Sequence, residues 1–233
     1  MTEPRILEHG AWLDARERLL IAEKELTRAR DALARRRREL PWEKVAKAYR
    51  FQTKAGQATL AELFGDKSQL LVYHLMYAPD WEAACKSCSF WMDGWSGVLP
   101  HLAQRDVQVI AISQAPLAKL QAYAQRMGWS IPWVSSAGSD FNFDYRVSFS
   151  REAIARGEAL YNYDGMKAPG TEMPGVSVFK KTPDGTVFHT YSTYARGIDA
   201  LNPAYQLLDL LPDGRDEDRL EHPMAWVKRH DEY

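Results

Sequence analysis

The only two cysteines of this 233-residue chain, Cys85 and Cys88, stand in the run Cys85-Lys86-Ser87-Cys88. One helical turn separates residues at that spacing, so a Cys-x-x-Cys pair can pass between dithiol and disulfide without large movement. Thiolate is the nucleophile in disulfide exchange, and the free N–H groups and positive pole of a helix N-terminus stabilise it. Cys85 is therefore expected to attack and Cys88 to resolve, with Lys86 adding positive charge between them. The disulfide itself would be the redox group, with no metal and no other cofactor. A structural zinc site would have to recruit His74, His101, His189 or carboxylates that show no paired spacing. Haem attachment would need a histidine where Ser89 stands. Two inert cysteines buried on a helix are the plainer alternative.

Positioning such a pair requires a strand, a turn and a helix in that order. Gln69 to Met76 (QLLVYHLM) is a near-continuous apolar run of strand length, suited to a sheet buried on both faces. Ala78-Pro79-Asp80-Trp81 follows as a turn, and the dithiol opens a helix. Val107 to Ser113 predicts a second buried strand. Pro116 starts an amphipathic helix over Leu117 to Met127, Gly128 stops it, and Trp129 to Ser135 is strand-like again. That alternation predicts parallel strands with right-handed crossovers. Gly175 to Lys181 and Thr186 to Tyr194 flank Pro183-Asp184-Gly185 as a hairpin. Tyr49 to Thr53 is a short strand, Thr59 to Phe64 a helical or turn segment, and helix returns near Ala200 to Leu211.

Composition sets the outer limits. Hydrophobic residues make up 45% and charged residues 26%, enough for a packed core, and the formal net charge of -1 argues against chain-wide attraction to nucleic acid or an anionic membrane. No run reaches the roughly 20 apolar residues of a membrane span. The N-terminal run is acidic and charged where a secretory signal would be basic and then apolar, so the expected compartment is the cytoplasm, where a disulfide is transient and catalytic.

Residues 11–40 are rich in Ala, Leu, Arg and Glu and read as one long helix. Leu19, Leu26, Leu33 and Leu40 recur every seven residues, which makes it either an arm on its own domain or a homodimerisation element. Arg35 to Arg38 fan around the helix rather than forming one face, and as a solvated end they suit the negative pole. The expected organisation is a helical arm over 1–41, an α/β domain over 42–211 with an insertion near 135–172, and a C-terminal tail over 212–233.

Leu60-Ala61-Glu62-Leu63-Phe64-Gly65, QLLVYHLM, Trp81 and the dithiol resemble the opening of peroxiredoxins and thiol-disulfide reductases in the thioredoxin superfamily. More closely, the chain resembles the bacterial thioredoxin-like family called domain of unknown function 899. WLDARERLLIAEKELTRARD, HLMYAPDWEAACKSCSFWMDG, APLAKLQAYAQRMGW, WVSSAGSDFNFDY, MPGVSVF, HTYSTYARG and LLPDGR carry that similarity over nearly the whole length. The resemblance implies an α/β thioredoxin-like fold, a central mixed sheet flanked by helices, and thiol redox chemistry on a protein or small-molecule thiol or disulfide. It also implies that Met173-Pro174, just before the hairpin, faces the dithiol as a cis-proline turn, where with Trp81 and Lys86 it would meet substrate; an ordinary trans proline starting the strand is the alternative. Trp81 lies four residues before Cys85, where thioredoxins place Trp directly before the first cysteine, and Lys86-Ser87 replaces their Gly-Pro. Most of the Pro, Thr and Arg surround of a peroxidatic cysteine is missing, which weakens a peroxidase role.

His189 to Gly197 combines imidazole, hydroxyls and the Arg196 guanidinium. Asp144, His189 and Arg196 are candidate supporting residues, although a structurally satisfied histidine is the commoner case. Ser135 to Asp140 could offer backbone donors or serve only as a turn, and the alternating Phe141, Phe143, Tyr145 and Phe149 could simply fill a core. No glycine pattern matches a dinucleotide fingerprint or a P-loop. A thioredoxin-fold binding or assembly protein with non-catalytic cysteines is the second functional expectation.

Overall fold

The computed structural model describes residues 4–233. Two units emerge, one ending at Pro41 and the other spanning Trp42–Tyr233. In the first unit α1 (His9–Arg38) is a single 30-residue helix of strong helix formers that carries no buried side chain, with four arginines in its last turn.

The second unit is built on one eight-stranded sheet. Its strands are β1 (Glu43–Lys44), β2 (Arg50–Thr53), β3 (Gly56–Thr59), β4 (Gln69–His74), β5 (Val107–Ser113) and β6 (Trp133–Ser135), with β9 (Gly175–Lys181) and β10 (Val187–Tyr194) closing it; β7 (Leu160–Tyr161) and β8 (Met166–Lys167) form a separate ribbon. The sheet order is β1-β10-β9-β4-β5-β6-β2-β3. Strands β4, β5 and β6 run parallel, while β9 is antiparallel to β4 and β10 to β9. The central order β10-β9-β4-β5, two parallel strands beside an antiparallel hairpin, is that of a thioredoxin-like α/β fold.

Alternation along the buried strands sorts the core into two layers. Leu70, Val72, Ile110 and Ile112 face Phe51, Phe64, Phe141 and Phe179 on one side. Tyr73, Leu75, Val109 and Ala111 face the other, against the main helices α2 (Lys86–Asp93), α4 (Leu117–Arg126) and α7 (Pro203–Leu208). The short helices α3 (Leu99–Gln104), α5 (Phe141–Asp144) and α6 (Arg151–Ala155) fill the connections. The parallel β4-to-β5 crossover thus carries the dithiol helix onto the second face.

Several boundaries differ from the sequence expectation. Residues 129–132 precede β6 as irregular backbone, and the segment near Ala200 begins as a 3-10 turn over Ala195–Leu201 before α7. The segment over 212–233, expected as a tail, lies on the body: Val227 is fully buried and Trp226 packs edge-on against Phe90 of α2 at 5.5 Å. Its local sequence is polar and turn-rich, so this packing depends on tertiary partners that no periodicity announces.

Candidate active site

Strand β4 ends at His74, and the loop that follows is pinned at several points before it reaches Cys85. Lys119 of α4 donates to the carbonyls of Pro79 and Trp81 at 2.8 and 2.9 Å, the Tyr77 hydroxyl donates to Glu82 O, and the Cys85 N–H donates to Met76 O at 3.0 Å. Cys85 is the N-cap of α2, with non-helical backbone at φ -55° and ψ 127°, and so stands at the end where the first-turn N–H groups are open. The Cys85 carbonyl accepts from both the N–H and the Oγ of Ser89 at 3.0 Å.

Both cysteines are free thiols, Cys85 half-buried and Cys88 fully buried. Their environments drive their acidities apart. The Cys88 S–H donates to Cys85, and with the N–H groups of Cys88 and Ser87 and the Ser87 hydroxyl it outweighs burial and brings the Cys85 thiol down to about 6. Cys88 goes the other way: burial, its bond to Cys85 and the Cys85 charge push it well above its usual value. The pair is therefore a thiolate that can attack beside a thiol that keeps its proton.

Tyrosines line the buried side. Tyr73 of β4 is 1% exposed, and its hydroxyl has no hydrogen-bond partner. Its polar neighbours are Cys88, Cys85 and the hydroxyl-bearing Tyr161. Tyr161, also buried, accepts from the Ala195 N–H at 2.7 Å and donates to the Pro174 carbonyl. This ties the turn before β9 to the neighbourhood of the dithiol. The expected cis bond at Pro174 is absent: no cis peptide bond occurs among the described residues. Residues 171–173 pair with 147–149 around an isolated bridge between Ser148 and Glu172, with Met173 N–H to Val147 O and Phe149 N–H to Thr171 O, both at 2.8 Å. That pairing fixes the approach to Pro174, whose peptide bond is trans. Glu172, 6% exposed, accepts from the Ser148 hydroxyl at 2.8 Å, and burial, with a smaller contribution from nearby Asp80, raises its carboxyl to about 8.

The Lys86 Nζ donates to Ala225 O at 3.2 Å, and the largest cause of the Cys85 shift is the Cys88 hydrogen bond above. Arg229 completes that contact with the C-terminal segment, donating to Ala84 O at 2.9 Å and to the Tyr123 hydroxyl at 2.7 Å, which in turn meets Ser89 Oγ at 2.9 Å. Trp81 is half-buried against the same core layer, and Met173 packs with Tyr161 and Tyr194.

The remaining candidates lie elsewhere. His189 and Asp144 line a different cleft of about 580 Å³ with Tyr49, Tyr145 and Lys47. Lys47 bridges Asp140 and Asp144 at 2.6 and 2.8 Å, and a hydrogen-bonded row crosses the sheet from His189 through Ser192 and Ser177 to His74. Burial brings His74 down to about 3, so it stays neutral. Arg196 pairs with Asp199 at 3.0 Å. Among the described residues no group of three or more His, Cys, Asp or Glu side chains gathers as a metal centre.

Tyr73, Tyr161 and Arg229 were missed by sequence reasoning. The two tyrosines look like core aromatics, and the only available signal was that Tyr73 sits in the strand directly before the dithiol turn. Arg229 is distant in sequence and gave none.

A helix that opens with two cysteines between parallel strands β4 and β5, backed by an antiparallel hairpin, is the arrangement of a thioredoxin-like α/β fold. The chain belongs to the family described as "Bacterial protein of unknown function (DUF899)", which matches residues 1–233. No curated sequence matches it. Similar solved structures include a peroxiredoxin Q mutant of Xanthomonas campestris, with 13% identity over 73% of this chain and 98% of that chain at a TM-score of 0.44. Peroxidoxin BcpB of Mycobacterium tuberculosis has 14% identity over 68% and 91% of the two chains, also at 0.44. The yeast mitochondrial 1-Cys peroxiredoxin has 16% identity over 73% and 77%, again at 0.44.

Proposed function

We propose that this protein is a cytoplasmic thiol-disulfide oxidoreductase in which Cys85 attacks and Cys88 resolves. The opposed acidities of two thiols one helical turn apart carry this reading, because they leave Cys85 as thiolate near neutral pH while Cys88 holds its proton in reserve.

In the reducing direction the Cys85 thiolate attacks one sulfur of a substrate disulfide. The new Cys85–substrate S–S bond forms as the substrate S–S bond breaks, and the first substrate thiolate leaves and takes a proton from solvent. Cys88 then loses its proton and attacks Cys85 Sγ. The mixed disulfide breaks, the second substrate thiolate departs and is protonated, and the protein is left with a Cys85–Cys88 disulfide. The substrate gains two electrons and two protons; both electrons come from the two cysteine sulfurs, one proton from solvent and the other from Cys88. An external thiol restores the dithiol by the reverse sequence. Trp81, Lys86 and the Met173-Pro174 turn are the surface that this reading assigns to a protein or small-molecule substrate. The leucine seam of α1 is the element through which two copies would pair.

The deciding experiment follows reversible formation of the intramolecular disulfide in glutathione buffers, together with disulfide reduction on insulin. Wild type is expected to cycle, and Cys85→Ser to lose all activity. If the pair cannot be oxidised and Cys85 resists alkylation at neutral pH, the cysteines are structural and the binding-protein reading replaces this one.

A further inference from the structure

Resolution demands a thiolate on the most deeply buried sulfur of the site, and the low-dielectric setting of Cys88 opposes that charge. Two donors nevertheless belong to its surroundings. The Met76 backbone N–H and the Tyr73 hydroxyl both favour the ionised sulfur. Tyr73 is 1% exposed and its hydroxyl has no hydrogen-bond partner, although a buried hydroxyl normally finds one. Its ring is fixed in the same core layer as Cys88, with Trp95 packed at 5.2 Å. Tyr161 differs, since its hydroxyl is already engaged by Ala195 and Pro174.

We propose that the Tyr73 hydroxyl, orphaned in the core beside the dithiol, is a catalytic hydrogen-bond donor that with the Met76 N–H holds the charge on Cys88 Sγ. The proposal rests on the dithiol reading above. In the reducing direction the Cys88 proton leaves the sulfur and ends on the departing substrate thiolate, and the Cys88 electron pair forms the new bond to Cys85 Sγ. In the opposite direction an incoming thiolate attacks Cys85 Sγ of the disulfide, and the electron pair of the broken bond settles on Cys88. Tyr73 lowers the cost of the anion in both directions without itself losing a proton. Its spare donor has no structural task, which explains a polar group left without a hydrogen-bond partner in a packed core.

The test is a single-turnover reaction of the full-length dithiol protein with a chromogenic aryl disulfide between pH 6 and 10. The two aryl thiolates report separately on attack by Cys85 and resolution by Cys88. For Tyr73→Phe the second release is expected to slow about tenfold and its pH profile to move up by about one unit, the usual scale for a hydrogen bond to a charged group, while the first release is unchanged. Replacing Tyr73 by 3-fluorotyrosine, a stronger donor of the same shape, should move the profile down, and it remains informative if the Phe variant folds poorly. A second release by folded Tyr73→Phe indistinguishable from wild type overturns the role of Tyr73, as does a fluorotyrosine variant that does not shift. Absence of both releases in wild type instead overturns the dithiol reading itself.

Discussion

At the scale of single residues, the behaviour of Cys85 depends on what donates to its sulfur. Its alkylation by iodoacetamide should follow a titration with a midpoint at about 6. Cys88→Ala removes the largest of those donors, the neighbouring S–H, and should raise the midpoint by about one unit. The same variant should trap the mixed disulfide, a product visible by mass spectrometry. Glu172 gives a second pH signature. Its carboxyl is raised from 4.5 to about 8, so between those values the folded state binds the proton and the unfolded state does not. Its contribution is therefore complete below about pH 4.5 and is lost as pH rises through 8. Urea titrations across that window should show a declining stability component for wild type that Glu172→Gln abolishes.

At the scale of elements, most of the scaffold was legible because it is written in local patterns. The runs of β4 and β5 are apolar on both faces, Pro116 and Gly128 bracket α4, and Pro183-Asp184-Gly185 marks the hairpin. The dithiol was legible for the same reason, since Cys85 and Cys88 carry their spacing with them. Tyr73 was not, because a tyrosine inside a buried run has the pattern of packing, and only the unmet hydroxyl distinguishes it. The docking of residues 217–229 on α2 was illegible because single side chains make it: Arg229 to Ala84 O, Lys86 to Ala225 O, and Glu217 gathering Tyr205, Met224 and Trp226 at 2.8, 2.9 and 2.7 Å. Arg229→Ala should therefore cost about 1–3 kcal/mol, the range for stranding partly buried hydrogen-bond partners, by chemical denaturation. Amide exchange should quicken in residues 217–229 and at the start of α2, while the central strands stay protected.

At the scale of the whole molecule, the unit Trp42–Tyr233 contains the complete sheet, both core layers and the dithiol. Removal of residues 1–41 should leave it folded, with a melting temperature within a few degrees of the full chain and an unchanged Cys85 alkylation midpoint. Size-exclusion chromatography with light scattering on the two forms reads the contribution of α1 to assembly.

The contact of Arg229 with the Ala84 carbonyl spans 145 residues of sequence, and the antiparallel pairing of β4 with β9 is also long-range. Contacts so distant along the chain close late, because loop entropy must be overcome first. During translation the two cysteines leave the ribosome long before the strand that flanks β4 or the arginine that fixes the preceding loop. The loop that carries the dithiol is thus held in its final place only after those later segments have folded against it.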